Sequence, residues 1–69
     1  MITVTVNGKP VQARERPTIR EVLLAADIDP DRAGIAVAVD AEVARRGAWP
    51  TQTLEDGAHV EIVTATQGG

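Results

Sequence analysis

The chain has 69 residues, of which 43% are apolar and 25% are charged, and its net charge at pH 7 is −3. This composition is typical of one small globular domain, and the negative charge argues against nucleic acid, whose binders need a basic face. The absence of cysteine excludes a disulfide framework, a thiolate metal site and a cysteine nucleophile, and the single histidine, His59, cannot form a histidine cluster.

The chain opens with the pattern of a β-hairpin. Residues 2–6 read Ile-Thr-Val-Thr-Val, and this alternation of branched apolar and polar side chains predicts a half-buried strand. Asn7-Gly8 follows at once and favours a tight hairpin turn, because both residues tolerate positive φ. In the return strand Val11 and Ala13 are expected to face inward. Pro10 cannot donate a ladder hydrogen bond, which suits an edge strand.

One segment carries the periodicity of an amphipathic helix. Thr18 and Glu21 have the spacing of a capping box, in which each side chain accepts from the backbone N–H of the other residue. Asp29-Pro30 limits the helix, since the residue before proline avoids the helical conformation. We therefore predict a helix over residues 18–27. Its buried stripe is Ile19, Val22, Leu23 and Ala26.

The second half of the chain predicts three more strands. Residues 35–39 alternate branched side chains with alanine, Asp40-Ala41 is a plausible tight turn, and residues 42–45 form a short return strand. An irregular crossing over residues 46–53 follows. Glu55-Asp56-Gly57 is typical of a turn, and residues 59–65 form the last strand, with Val60 and Ile62 inward and His59 on the surface.

A hairpin, one helix and three further strands predict an α+β fold with the helix packed across one face of a sheet. For the sheet to close over the helix, the first and last strands should lie side by side in its middle. This is the β-grasp, or ubiquitin-like, architecture with a mixed five-stranded sheet. Trp49, the only aromatic residue, is expected in the core or as a lid over it.

The chemistry is expected at the C-terminus, where the sequence reads Gln67-Gly68-Gly69. Two interpretations assign this terminal segment no function: it is either a frayed terminus or a cloning remnant. A functional interpretation is that the two glycines, which lack Cβ, can thread a narrow enzyme cleft. The reactive group is then the Gly69 carboxylate, which needs activation, most simply as an acyl-adenylate formed with ATP. We expect residues 1–66 to form the β-grasp domain and residues 67–69 a flexible tail.

Over its whole length the sequence resembles the ThiS sulfur carriers of thiamin biosynthesis, which are related to the small MoaD subunit of molybdopterin synthase. The resemblance begins with the opening strand into Asn7-Gly8. It continues through the Pro17-Thr18-Ile19 start of the helix and its Leu23-Leu24 pair. Further matching segments are Asp40-Ala41-Glu42-Val43 with Arg46 and Trp49, Leu54-Glu55-Asp56-Gly57, Val60-Glu61-Ile62-Val63 and the terminal Gln67-Gly68-Gly69.

This resemblance implies that the chain is a protein co-substrate and not an enzyme. A ThiF-type adenylyltransferase would use ATP to adenylate Gly69, and a persulfide sulfur donor would convert the carboxylate into a thiocarboxylate. A thiazole synthase of the ThiG type would then take the sulfur into the thiazole ring of thiamin. No catalytic residue, metal or bound cofactor is implied on the chain itself, and Gly68 and Gln67 would thread the tail into its partners.

One group of residues is a candidate partner face. They are expected on the side of the sheet away from the helix, where they would form an apolar patch if exposed together. An alternative interpretation is that small side chains are simply tolerated on the surface. The group comprises Ala36, Ala38, Val63 and Ala65.

Two alternatives to the thiamin carrier remain open. The chain could carry sulfur for molybdopterin or another sulfur-transfer pathway, or it could be a non-covalent ubiquitin-like interaction domain with an inert tail. No apolar run is long enough to span a membrane, and the N-terminus lacks the basic region of a signal peptide. A cytoplasmic protein without nucleic-acid or membrane partners is therefore expected.

Overall fold

In the computed structural model of the chain, residues 1–64 are described. The strands are β1 (Ile2–Val6), β2 (Lys9–Ala13), β3 (Ile35–Val39), β4 (Glu42–Ala44) and β5 (His59–Thr64), and the helix α1 spans Ile19–Ala25. A short 3-10 helix covers Arg46–Ala48. The predicted end of the last strand at Ala65 lies outside the described residues.

The sheet has the order β2-β1-β5-β3-β4, so the first and last strands are neighbours at its centre. β1 and β5 are parallel, and the other neighbouring pairs are antiparallel. The predicted mixed five-stranded sheet with one helix is therefore confirmed. Pro10 lies on the edge strand β2, as its missing N–H predicts.

One core lies between the inner face of the sheet and α1. Alternate residues of β1, β3 and β5 point into it, and Ile19, Val22 and Leu23 of the helix are fully buried against them. Every residue with a buried side chain in this cluster is apolar. The cluster comprises Val4, Val6, Ala13, Ile19, Val22, Leu23, Val37, Ala44, Trp49, Leu54, Ala58 and Val60.

The helix begins as predicted and ends earlier than predicted. The Thr18 hydroxyl accepts from the Glu21 N–H at 3.1 Å, and a Glu21 carboxylate oxygen accepts from the Thr18 N–H at 2.8 Å. The prediction that the helix continues to residue 27 is wrong. Asp27 has φ +62°, and the Ile28 N–H donates to the Leu23 carbonyl at 2.8 Å, which terminates the helix in a Schellman arrangement.

Three side-chain oxygens take the place of main-chain carbonyls around the central strands. The Ile62 N–H donates to Asn7 Oδ1 at 2.7 Å, just past the end of β1. On the other side of β5, the His59 N–H donates to Asp40 Oδ1 at 3.0 Å. The Thr3 N–H donates to Asp56 Oδ1 at 2.8 Å. Turn residues therefore supply hydrogen-bond acceptors to one N–H of β1 and to two N–H groups of β5.

The segment between β4 and β5 is ordered by Arg46 and Trp49. Trp49 is only 3% exposed, which confirms its predicted place in the core, and its Nε1 donates to the Ala44 carbonyl at 3.0 Å. The Arg46 guanidinium lies 4.4 Å from the centroid of the Trp49 ring. It also donates to the carbonyls of Pro30 and Arg32, at 2.6 and 2.7 Å. The crossing is therefore less irregular than predicted, since these contacts hold a 3-10 turn in place.

Candidate functional site

The candidate functional site lies at the carboxyl end of β5, which leads into the tail where the chemistry is expected from the sequence. Thr64 is the last described residue, so the tail Gln67-Gly68-Gly69 and Ala65 lie outside the described residues. Five residues separate Thr64 from the end of the sequence. Because each residue of an extended chain spans at most 3.3–3.6 Å, Gly69 can be no farther than about 18 Å from Thr64. Any protein that binds Gly69 must therefore approach the end of β5.

The outer face of the sheet, opposite the helix, is apolar at this end. Ala36 on β3 lies directly opposite Val63 on β5, and Ala38 lies opposite Val43 on β4. Val43 is 78% exposed and Val63 is 62% exposed. Ala36 is also exposed and Ala38 is half-buried. We refer to Ala36, Ala38, Val43 and Val63 as the outer patch.

Val43 belongs to the outer patch although the sequence interpretation did not include it. The signal was present: a two-residue turn at Asp40-Ala41 pairs Val39 with Glu42 and therefore Ala38 with Val43. Because opposite residues of an antiparallel pair share a face, Val43 has to lie on the same face as Ala38. The structure thus places Ala36, Ala38 and Val63, three of the four predicted patch residues, together on one face. It adds Val43, whose side chain is larger than those of the two alanines.

The same face becomes polar towards β1. His59 is exposed, as predicted, and its Nδ1 lies 2.8 Å from Oγ1 of Thr5 on the neighbouring strand. Glu61 lies opposite Ala38, between the polar half and the outer patch. Within residues 1–64 there is no group of three or more His, Cys, Asp or Glu side chains placed to hold a metal ion.

The pronounced electrostatic features lie around the helix. Two Arg14 nitrogens donate to the Glu21 carboxylate at 2.9 Å, and this pairing, with the Thr18 N–H, lowers the pKa of Glu21 from 4.5 to about 2. Arg20 pairs in the same way with Asp31 and lowers the pKa of that carboxyl. Both pairs join α1 to neighbouring segments, so they support the fold and do not belong to the outer patch.

The ThiS family model matches residues 4–69, which is nearly the whole chain and includes the terminal glycines. The chain belongs to the ThiS family. Two solved structures are similar to this chain: a crystal structure of the thiamine biosynthesis protein ThiS from Geobacter metallireducens and an NMR structure of a thiamine biosynthesis protein from the same organism. No curated protein sequence matches it.

The crystal structure is 32% identical with a TM-score of 0.79, and the alignment covers 99% of this chain and all of the other. The NMR structure is 34% identical with a TM-score of 0.71, and its alignment covers 99% of this chain and 88% of the other. The ThiS family is one of small sulfur carriers rather than catalysts, so the chain is a carrier of this type. None of the helices within residues 1–64 is long and apolar enough to cross a membrane.

Proposed function

We propose that the chain carries sulfur for the thiazole ring of thiamin as a thiocarboxylate on Gly69. The observation that carries the proposal is the ThiS family match, which extends through the terminal Gly68-Gly69. The fold supports it, because β5 is held between β1 and β3 and leads directly into this segment. The domain then serves as a rigid head that presents a carboxylate to other enzymes.

The carrier is proposed to be loaded with sulfur in three steps, each of which accounts for the bonds formed and broken. A Gly69 carboxylate oxygen attacks the α-phosphorus of ATP, pyrophosphate leaves, and an acyl-adenylate forms on a ThiF-type adenylyltransferase. The terminal sulfur of a persulfide donor then attacks the acyl carbon, and AMP leaves. A second thiol reduces the S–S bond of the resulting acyl disulfide, which leaves the thiocarboxylate on the carrier and a disulfide between the two thiol groups.

The roles proposed for the tail follow from its residue types. Gly68 and Gly69 have no Cβ, so the backbone can pass through a narrow cleft and adopt the φ and ψ angles that the enzyme imposes. Gln67 precedes them as part of the same threaded segment. After loading, a thiazole synthase of the ThiG type takes the sulfur, and the carrier returns with its carboxylate.

The outer patch is proposed as the surface on which the adenylyltransferase docks. The reach of about 18 Å from Thr64 brings any enzyme that holds the Gly69 carboxylate close to Val63 and Ala36. Exposed apolar patches on small domains commonly mark protein interaction sites. Docking of the head and threading of the tail would then occur on one continuous surface.

The test is the intact mass of the carrier after incubation with ATP, a persulfide donor and the adenylyltransferase, followed by a thiol-alkylating reagent. Alkylation is needed because exchange of oxygen for sulfur changes the mass almost as oxidation of Met1 does. The chain contains no cysteine, so a single alkylation identifies a thiocarboxylate. We expect one alkylated product, formed only when ATP is present.

A variant that lacks Gly68 and Gly69 is the matched control. It should keep the melting temperature of the parent, because none of the core residues is removed, and it should give no alkylated product. A variant with one extra residue after Gly69 should fail in the same way. Alkylation that persists in the shortened variant would contradict the proposal. So would the absence of alkylated parent protein with every adenylyltransferase of the source organism, which would favour a non-covalent interaction domain.

A further inference from the structure

β5 extends beyond the strand that pairs with it on one side. β1 pairs with β5 through Thr5 opposite His59 and Val6 opposite Val60, and then turns away at Asn7. On its other side β5 stays paired with β3 as far as Thr64, which lies opposite Ile35. Within residues 1–64, the last residues of β5 therefore have a strand on one side only.

The direction of each main-chain group follows from the hydrogen bonds of the ladder. The Asp40 N–H donates to the His59 carbonyl on the β3 side, so Glu61 and Val63 also point their N–H and C=O groups towards β3. The Asn7 N–H donates to the Val60 carbonyl on the β1 side, and Ile62 and Thr64 point the same way. Asn7 Oδ1 accepts from the Ile62 N–H.

Three main-chain groups on the β1 side consequently lack a strand partner among residues 1–64. They are the carbonyl of Ile62 and both the N–H and the carbonyl of Thr64, because β1 has already turned away at Asn7. We refer to these groups as the open edge. The two carbonyls and the one N–H of the open edge could pair with an added extended strand. That strand would supply two N–H donors and one carbonyl acceptor.

The outer strands of the sheet are poor places for strand addition. β2 carries Pro10, which lacks an N–H, and the lone lysine Lys9, two features that protect edge strands from pairing. β4 is only three residues long, Glu42–Ala44. The open edge lies instead in line with the centre of the sheet, immediately before the tail.

We propose that an extended backbone segment of the adenylyltransferase pairs with the open edge while the enzyme holds the tail. This inference rests on the proposed function and names the main-chain contacts through which the enzyme is recognised. The short distance between Thr64 and Gly69 requires enzyme atoms within about 18 Å of this edge. Pairing at Thr64 would keep β5 extended and fix the direction in which the chain leaves the sheet, which lowers the entropy lost when the tail is threaded.

Hydrogen exchange of single amides tests the contact without any substitution. In the free protein the Val63 N–H, which faces β3, should exchange slowly and the Thr64 N–H, which faces the open edge, should exchange fast. In the complex with the adenylyltransferase, the Thr64 N–H should slow by about tenfold or more while other exposed amides on β2 stay unchanged. An unchanged exchange rate for Thr64 in the complex would overturn the proposal.

A proline at the same position provides a second test. Of the main-chain hydrogen-bonding groups, Thr64→Pro removes only the N–H that points away from β3. Val63 before it is already extended, as a residue preceding proline prefers. Thr64→Ala is the matched control, since it shortens the side chain and keeps the N–H. The proline variant should melt close to the alanine variant but bind the adenylyltransferase about tenfold more weakly. Equal affinity of the two variants would overturn the proposal.

The outcomes separate this inference from the proposed function. If the parent protein and Thr64→Pro are loaded with sulfur equally well at low carrier concentration, the carrier function stands and the strand contact is wrong. If the Thr64 amide is slowed in the complex while no thiocarboxylate forms, the contact stands and the sulfur chemistry is wrong. If Thr64 is slowed in the free protein as its concentration rises, a second copy of the chain occupies the edge, and the proposal is overturned.

Discussion

Ala41 adopts a backbone conformation that is unfavourable for its side chain. It follows Asp40 in the two-residue turn between β3 and β4. Asp40 has φ +48° and Ala41 has φ +72°. Aspartate and asparagine tolerate this left-handed region, whereas the Cβ of alanine is crowded by the following carbonyl. At the equivalent place in the first hairpin the chain has Gly8, with φ +84°. The turn at Asp40-Ala41 therefore retains strain that the turn at Asn7-Gly8 avoids.

We expect Ala41→Gly to stabilise the protein. Relief of the left-handed conformation should outweigh the greater entropy of glycine in the unfolded chain, for a net gain of about 0.5–1 kcal/mol in the free energy of unfolding. Urea denaturation measures this change. Ala36→Gly is the control, because Ala36 is an exposed strand residue outside the positive-φ set, and it should lower the free energy of unfolding. A less stable Ala41→Gly variant would contradict the argument.

At the scale of elements, the start of α1 depends on one carboxylate. Glu21 accepts from the Thr18 N–H as part of the capping box and from two nitrogens of Arg14, which follows β2. One side chain thus joins the helix start to the hairpin. Its pKa is about 2 in the folded protein, below the ordinary value of 4.5, chiefly because of the hydrogen bond from Arg14.

The pH dependence of stability should reflect this depressed pKa. A carboxylate whose pKa is lower in the folded state stabilises the protein fully above its unfolded pKa, and this contribution is lost as the pH falls towards the folded pKa. The window is therefore from about pH 4.5 down to about pH 2. Glu21→Gln should lower the melting temperature at pH 7 and flatten its decline across that window.

Melting temperatures measured from pH 7 to pH 2 check this prediction. Arg14→Gln removes the main cause of the lowered Glu21 pKa and keeps the capping box. It should therefore reduce, in part, the fall in melting temperature as the pH is lowered. The double variant should resemble Glu21→Gln alone, because the two side chains act through one contact. A Glu21→Gln variant with the slope of the parent protein would show that this carboxylate does not govern the acid sensitivity.

The elements that the sequence predicted well are those with local signals. Thr18 and Glu21 are three residues apart and need only each other, so the helix start was predictable. The helix end was not, because Asp29-Pro30 is a strong stop signal and concealed the left-handed Asp27 two residues earlier. The 3-10 turn at Arg46–Ala48 was missed for another reason. It depends on contacts of Arg46 with the carbonyls of Pro30 and Arg32, which no local pattern encodes.

At the scale of the whole molecule, the outer patch and the helix lie on opposite sides of the sheet. A substitution on one face can therefore serve as the control for the same kind of substitution on the other when binding is measured. We expect Val43→Asp to weaken binding of the adenylyltransferase by about tenfold or more, because a carboxylate would be placed in an apolar contact. Leu24→Asp is the control. Leu24 is 54% exposed on α1, away from the outer patch, and its change should leave the affinity unaltered.

Calorimetric titration of the carrier with the adenylyltransferase measures both variants. The melting temperature of each should be determined first, so that reduced binding is not confused with unfolding. Equal affinities for Val43→Asp and Leu24→Asp would show that docking does not use the outer patch.

The candidate site could be predicted only in part from the sequence. The central position of the first and last strands followed from closing a sheet over one helix, and Ala36, Ala38 and Val63 followed from alternation along their strands. Val43 required the register across the turn at Asp40-Ala41. The open edge at Thr64 required knowing where β1 stops relative to β5, which depends on the pairing of residues 54 positions apart.

That central pairing also sets the order in which the molecule can fold. The β1–β2 hairpin and α1 can form early from local contacts, but β5 has to enter between β1 and β3, and its pairing with β1 joins residues far apart in the sequence, such as Thr5 and His59. Before β5 is in place, β1 and β3 each lack their central neighbour, and an unpaired strand edge can pair with another chain. We therefore expect variants that weaken the β1–β5 contact to aggregate more during refolding than equally destabilising changes in β4, which light scattering would measure.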